Sequence, residues 1–201
     1  MTLLRWAALA LCAVLGSATP VLAADYNAEV ISQFFNATCL RRLGVPDDIR
    51  AWAKDTRLVQ IVEPNAVNTF VGTTPGAKGI AWMLPSPNDW KFTLSIRSGT
   101  QTCAVWAESG DPATAEGLFR KMITEAARPG TKVSTDEDQS FPTATGKSRL
   151  LTMSVIDGTS GGGYQFTFMA GDRSGTFFSG APVQISMQLT RIEGKKTKLP
   201  N

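Results

Sequence analysis

The stretch "WKFTLSIRSGTQTCAVWAE", residues 90–108, decides the fold. In its first half Trp90, Phe92, Leu94 and Ile96 alternate with Lys91, Thr93, Ser95 and Arg97. That period of two belongs to a strand with one buried face. Ser98 and Gly99 invite a two-residue turn, and residues 101–108 read as the returning strand. Such a turn pairs Arg97 with Thr100, Leu94 with Cys103 and Phe92 with Val105, so the Cys103 side chain points into the core.

Upstream the period changes from two to four. Ile31, Phe35, Cys39 and Leu43 recur every fourth residue between Asn27 and Leu43, with Val30, Phe34 and Leu40 beside them. This predicts a helix with a single apolar stripe, and Cys39 lies on it. Gly44 supplies the stop, and Pro46 opens a short second helix with Asp47 and Asp48 in its first turn and Ile49, Trp52 and Ala53 turned inward.

The segment that precedes them, "MTLLRWAALALCAVLGSATPVLAAD", has one cation, Arg5, an apolar run from Trp6 to Leu15 and small residues at its end. This is the layout of a secretory leader, residues 1–23, with Val21 and Ala23 placed for a cut before Ala24. Its apolar run is too short to span a bilayer. Cleavage leaves about 178 of the 201 residues, enough for one domain with its own core. It also removes Cys12, so Cys39 and Cys103 remain as an even pair bound for an oxidising compartment. An even pair there predicts a disulfide, here from a helix to a sheet.

Farther along, residues 68–71 read as a weak strand and residues 79–84 as a clear one. A well-marked helix follows Asp111, with Pro112 at its first position, Ala115, Leu118, Phe119, Met122, Ile123 and Ala126 on its apolar face and Gly130 to close it. Residues 131–148 are polar without a period and read as an exposed loop. Three more alternating strands come next, with inner rows Leu151, Met153, Val155, then Tyr164, Phe166, Phe168, then Val183, Ile185, Met187, Leu189. The expected architecture is α+β: one domain, residues 24–192, with an antiparallel sheet of about six strands and helices packed on one face. Its element order hints at two copies of a helix-plus-strands unit. Residues 193–201 read as a basic tail.

Polar residues Lys91, Thr93, Ser95, Arg97, Thr152, Ser154, Gln165, Thr167, Gln184, Ser186 and Gln188 should line the other sheet face. Thr93, Ser95, Gln165, Thr167 and Ser186, with Gly161 and Gly162 of the glycine-rich connection at 157–163, form the candidate interaction surface. A flexible hairpin turn is the simple reading of that connection, and a mobile recognition loop the sharper one.

The chain has no histidine. Ser-His-Asp and Cys-His relays are therefore excluded, as are imidazole zinc sites, and two cysteines cannot form a thiolate cluster. "TATGKS", ending at Ser148, has Phe141 where a phosphate loop needs glycine, and a strand rather than a helix follows it. The acidic run Asp136, Glu137, Asp138 lacks the ligand spacing of a calcium loop. The "NAT" at Asn36 fits a glycosylation sequon but falls inside a helix. A formal charge of +3, one of it from Arg5, gives no footprint for nucleic acid.

The layout "FFNATCL", "GIAWML", "WKFTLSI", "TCAVWA" and "EGLFRKM", over residues 30–125, resembles small exported proteins of proteobacteria. That resemblance implies a periplasmic location and a helix-to-strand disulfide, and supplies no activity. These readings together lead to a non-catalytic periplasmic binding or interaction protein. Its expected partner is another envelope or secreted protein, as for an inhibitor, immunity-type or accessory protein, with no cofactor, no metal, no nucleic acid and no membrane span. A small-ligand carrier or a carboxylate-based enzyme is the alternative.

Overall fold

The structure, a computed structural model, describes residues 19–72, 78–85, 92–143, 146–172 and 183–194. Most of the leader, Trp90, Lys91 and the Lys195, Lys196 and Lys198 tail lie outside the described residues. The elements are α1 (Thr19–Phe35), prolonged by a wide π-turn over Asn36–Leu40, α2 (Pro46–Asp55), β1 (Val59–Gln60), α3 (Pro64–Val71), β2 (Gly79–Leu84), β3 (Phe92–Arg97), β4 (Thr102–Ala107), α4 (Pro112–Ala126), β5 (Thr131–Thr143), β6 (Gly146–Asp157), β7 (Gly163–Gly171) and β8 (Ile185–Ile192). All eight strands join one antiparallel sheet in the order β1-β2-β3-β4-β8-β7-β6-β5. The fold is α+β as expected, with eight strands rather than about six.

Local chemistry explains the starts of α3 and α4. The Asp111 carboxylate accepts from the Thr114 N–H at 2.7 Å ahead of Pro112, and Glu63 accepts from the N–H groups of Asn65 and Ala66 ahead of Pro64. This second cap corrects the reading of residues 68–71, which are helical. Gly130 (φ +88°) sits in the turn beyond α4, whose last helical residue is Ala126.

The β3–β4 hairpin pairs Ile96 with Cys103, Leu94 with Val105 and Phe92 with Ala107. Its turn therefore takes four residues, 98–101, with Gln101 at φ +48°. The register differs from the expected one by two places. An even shift preserves the face, so Cys103 still points inward.

Residues 131–148 are not a loop. They form β5 and the start of β6, apart from 144–145, which lie outside the described residues. β5 is an edge strand exposed along most of its length, so it shows no burial alternation, and a bulge between Thr135 and Glu137 shifts its register. The acidic run blunts this open edge.

The core lies between the inner sheet face and the α1–α4 layer. Phe119 of α4 stacks at 5.9 Å from Phe35 of α1 and 5.6 Å from Phe168 of β7. All three are fully buried, each contributing about 2 kcal/mol by burial. α1 and α4 run side by side in the same direction. At the start of α4 Thr114 Oγ1 donates to Asp25 Oδ1 of α1, and Asn27 Nδ2 donates to Ser109 Oγ, while Leu40, beyond the end of α1, and Ala126, at the end of α4, line one groove. The sheet consists of two consecutive four-stranded runs, β1–β4 and β5–β8, joined at β4 and β8.

Helices also do not keep to one face. α3 packs on the other side, where Phe70 meets Trp106 at 5.8 Å, the Ser95 hydroxyl donates to the Phe70 carbonyl at 3.2 Å, and the Trp106 indole donates to Ser95 at 2.9 Å. Val183, expected on the inner row, lies ahead of β8 and packs with Ala104 and Trp106 on this second face. Among the described residues no helix is long and apolar enough to cross a membrane.

Candidate functional site

The Cys39–Cys103 disulfide joins the π-turn to β4, with Cα atoms 5.5 Å apart and both residues fully buried. It fixes the C-terminal end of α1 against the sheet. The π-turn itself, in which Arg41 N–H donates to the Asn36 carbonyl at 3.0 Å, widens the backbone there. Such single wide turns recur at functional sites. The Thr38 hydroxyl is spent on the Phe34 carbonyl and is fully buried, so the Asn36 sequon is closed in the folded chain.

Beside this staple lies an open groove of about 910 Å³, framed by the ends of α1 and α4 and by the β6–β7 turn. Leu40, Leu43, Val155, Tyr164, Phe166 and Ile192 give it apolar walls. Its charged residues are Arg41, Arg128, Arg191, Asp157 and Glu193.

The glycine-rich connection forms one wall and is tightly built. Asp157 Oδ1 accepts from the N–H groups of Thr159 at 2.9 Å and Ser160 at 2.6 Å. The Ser160 backbone N–H, helped by the Ser160 hydroxyl and the Thr159 N–H, holds the Asp157 carboxyl below the usual carboxylate range. A Cβ on Gly162 would come within 3.0 Å of the Gly194 nitrogen, and one on Gly163 would collide with the Val155 carbonyl. Gly161 (φ +67°) needs its glycine for conformation. Gly162 and Gly163 serve close backbone packing.

The expected interaction surface is divided. Thr93, Ser95 and Ser186 are buried, Ser95 beneath α3. Gln165 and Thr167 remain half-buried on the outer face, while Gly161 and Gly162 sit in the β6–β7 turn. The described residues thus bring Thr93, Ser95, Gln165, Thr167 and Ser186 onto one sheet face without leaving them one free surface.

A second constellation escaped the sequence reading. Glu116 of α4 accepts two hydrogen bonds from Arg149 of β6, at 2.8 and 2.9 Å, and others from Arg120. Both arginines also pair with Asp138 of β5. The Arg149 hydrogen bond holds the Glu116 carboxyl below its ordinary range against the opposing effect of burial, and Arg120 followed by Arg149 does the same for Asp138. Two carboxylates locked ionised by two arginines tie α4 to the sheet edge and are unsuited to proton transfer. Only the spacing of Glu116 and Arg120 was visible in sequence, as an i,i+4 pair. No group of three or more metal-ligating side chains occurs among the described residues.

Comparison of the chain with protein-family models, curated proteins and solved structures found no match.

Proposed function

We propose that the protein is an exported, non-catalytic binding protein that holds a small ligand in the groove at the common end of α1 and α4. The observation that carries this reading is the groove itself: about 910 Å³ in volume, lined by apolar and charged side chains, and built where a disulfide and a π-turn fix the scaffold. Pockets of a few hundred to a thousand Å³ suit small ligands. Export rests on the leader-like residues 1–23 and on the even cysteine pair.

This reading has more support than docking of an envelope protein through the outer sheet face, because Thr93, Ser95 and Ser186 are buried. It also has more support than carboxylate catalysis, because each carboxyl group with a resolved shift, Glu116, Asp138 and Asp157, is held more acidic rather than less.

Native mass spectrometry of the chain recovered gently from a periplasmic extract tests the proposal. A bound small-molecule mass is expected, lost in Ala126→Trp, which fills the groove from an exposed position. Recovery of bare protein that also fails to bind added ligand, or a bound mass that survives Ala126→Trp, would overturn it.

A further inference from the structure

The groove's charges come from three different elements. Arg41 follows the π-turn, Arg128 follows α4 and Arg191 lies on β8. Arg41 and Arg128 form no ion pair among the described residues, and the closest side-chain partner of Arg191 is the neutral amide of Gln101 at 3.5 Å. A basic residue after a helix compensates the partial negative charge of the helix end, which accounts for Arg41 and Arg128 in part. It does not account for Arg191 on a strand. Of the two acids, Asp157 accepts from the N–H groups of its own turn and stays ionised, so Asp157 and Glu193 together stand against three guanidinium groups.

Resting on the binding-protein reading above, we infer that the groove takes a long-chain carboxylate, its hydrocarbon on the apolar walls and its head between the unpaired guanidinium groups of Arg41 and Arg128. Val155, Tyr164 and Phe166 come from two adjacent strands, β6 and β7, and share one sheet face. At strand spacing they cover about 5 Å across the sheet and about 7 Å along β7, an apolar patch against which an alkyl chain can lie. Two exposed, unpaired arginines favour an anionic head, because a charged acceptor gives each guanidinium stronger hydrogen bonds than water does. Asp157, Glu193 and the two helix C-termini add negative potential, which disfavours a second charge on that head and so selects carboxylate over phosphate. The Lys195, Lys196 and Lys198 stretch is an unsuitable occupant on charge alone, being of like sign to the rim.

Fluorescence titration of the full oxidised chain with cis-parinarate, an eighteen-carbon polyene carboxylate, tests the inference. Its methyl ester and hexadecyl phosphate are the comparison ligands. Saturable binding of the acid is expected, weakened about tenfold or more in Arg41→Gln/Arg128→Gln. The ester should bind weakly, and equally to both proteins. Because both arginines are exposed, unchanged thermal unfolding of the variant serves as the control for folding. Ester binding as tight as acid binding, a double variant that binds the acid undiminished, or preference for the phosphate would each overturn the assignment. A co-purified mass that parinarate fails to displace would sink the carboxylate while leaving the binding-protein reading intact. Absence of both that mass and parinarate binding would remove the two together.

Discussion

Cys39 and Cys103, 64 positions apart in the chain, stand with their Cα atoms 5.5 Å apart and bind the end of α1 to the fourth strand of the sheet. Closing a loop of that length removes conformational freedom from the unfolded chain. Chain-entropy arithmetic gives about 4 kcal/mol as an upper figure. The Cys39→Ala/Cys103→Ala double variant should therefore unfold at clearly lower denaturant, with a loss approaching that figure in equilibrium urea titration. Unreduced wild-type protein, denatured and treated with an alkylating reagent, should gain no mass on either sulfur. Stability equal to wild type in the double variant would contradict this assignment.

Arg149 bridges the α4 helix and the β5 edge through Glu116 and Asp138. Arg149→Met should cost about 2 kcal/mol at neutral pH, because the partly buried Glu116 loses its paired hydrogen bonds. Acid should distinguish the two proteins further. Glu116 and Asp138 titrate lower in the folded chain than their ordinary values of 4.5 and 3.8. The unfolded chain thus binds more protons in that interval. Their stabilisation is complete above about pH 4.5 and is lost as pH falls through the folded values. Wild-type stability should drop steeply over that acid range, and the Arg149→Met curve should be flatter. Parallel curves in pH-dependent denaturant unfolding would rule out the Glu116–Asp138 arginine cluster as the source.

Gly161 and Gly163 lie in and beside one turn but are held for different reasons. A Cβ at Gly161 meets nothing, so Gly161→Ala should cost only the strain of its positive φ, about 1 kcal/mol. A Cβ at Gly163 collides with the Val155 carbonyl, so Gly163→Ala must displace the start of β7 and should cost more than Gly161→Ala. Thermal unfolding of the two variants checks the order. A larger loss for Gly161→Ala would mean that the β6–β7 turn is built differently.

Much of this was legible in the chain because it is local. The Phe92–Ile96 alternation, the Ile31–Cys39 stripe and the Asp111-Pro112 cap each express a backbone period or a hydrogen bond within a few residues. Those signals suffice for element type, for the face on which Cys39 and Cys103 lie, and hence for their pairing. β5 was illegible for the converse reason. An edge strand with most of its side chains in water has no burial period, and the bulge near Asp136 disturbs what little remains. The second-face helix was hidden because residues 68–71 look strand-like without the Glu63 cap ahead of them.

By itself, then, the sequence determined the class of fold, the covalent link between its layers and the absence of histidine chemistry, all of which depend on residue type and short-range spacing. Tertiary structure alone decided that α1 and α4 end together, which gathers Arg41, Arg128 and Arg191 at one groove, and that Glu116 and Asp138 share two arginines. Those neighbours are up to 150 positions apart (Arg41 to Arg191). Only the direction of helices across the sheet brings them together, and direction is set by packing and topology, which no local period encodes.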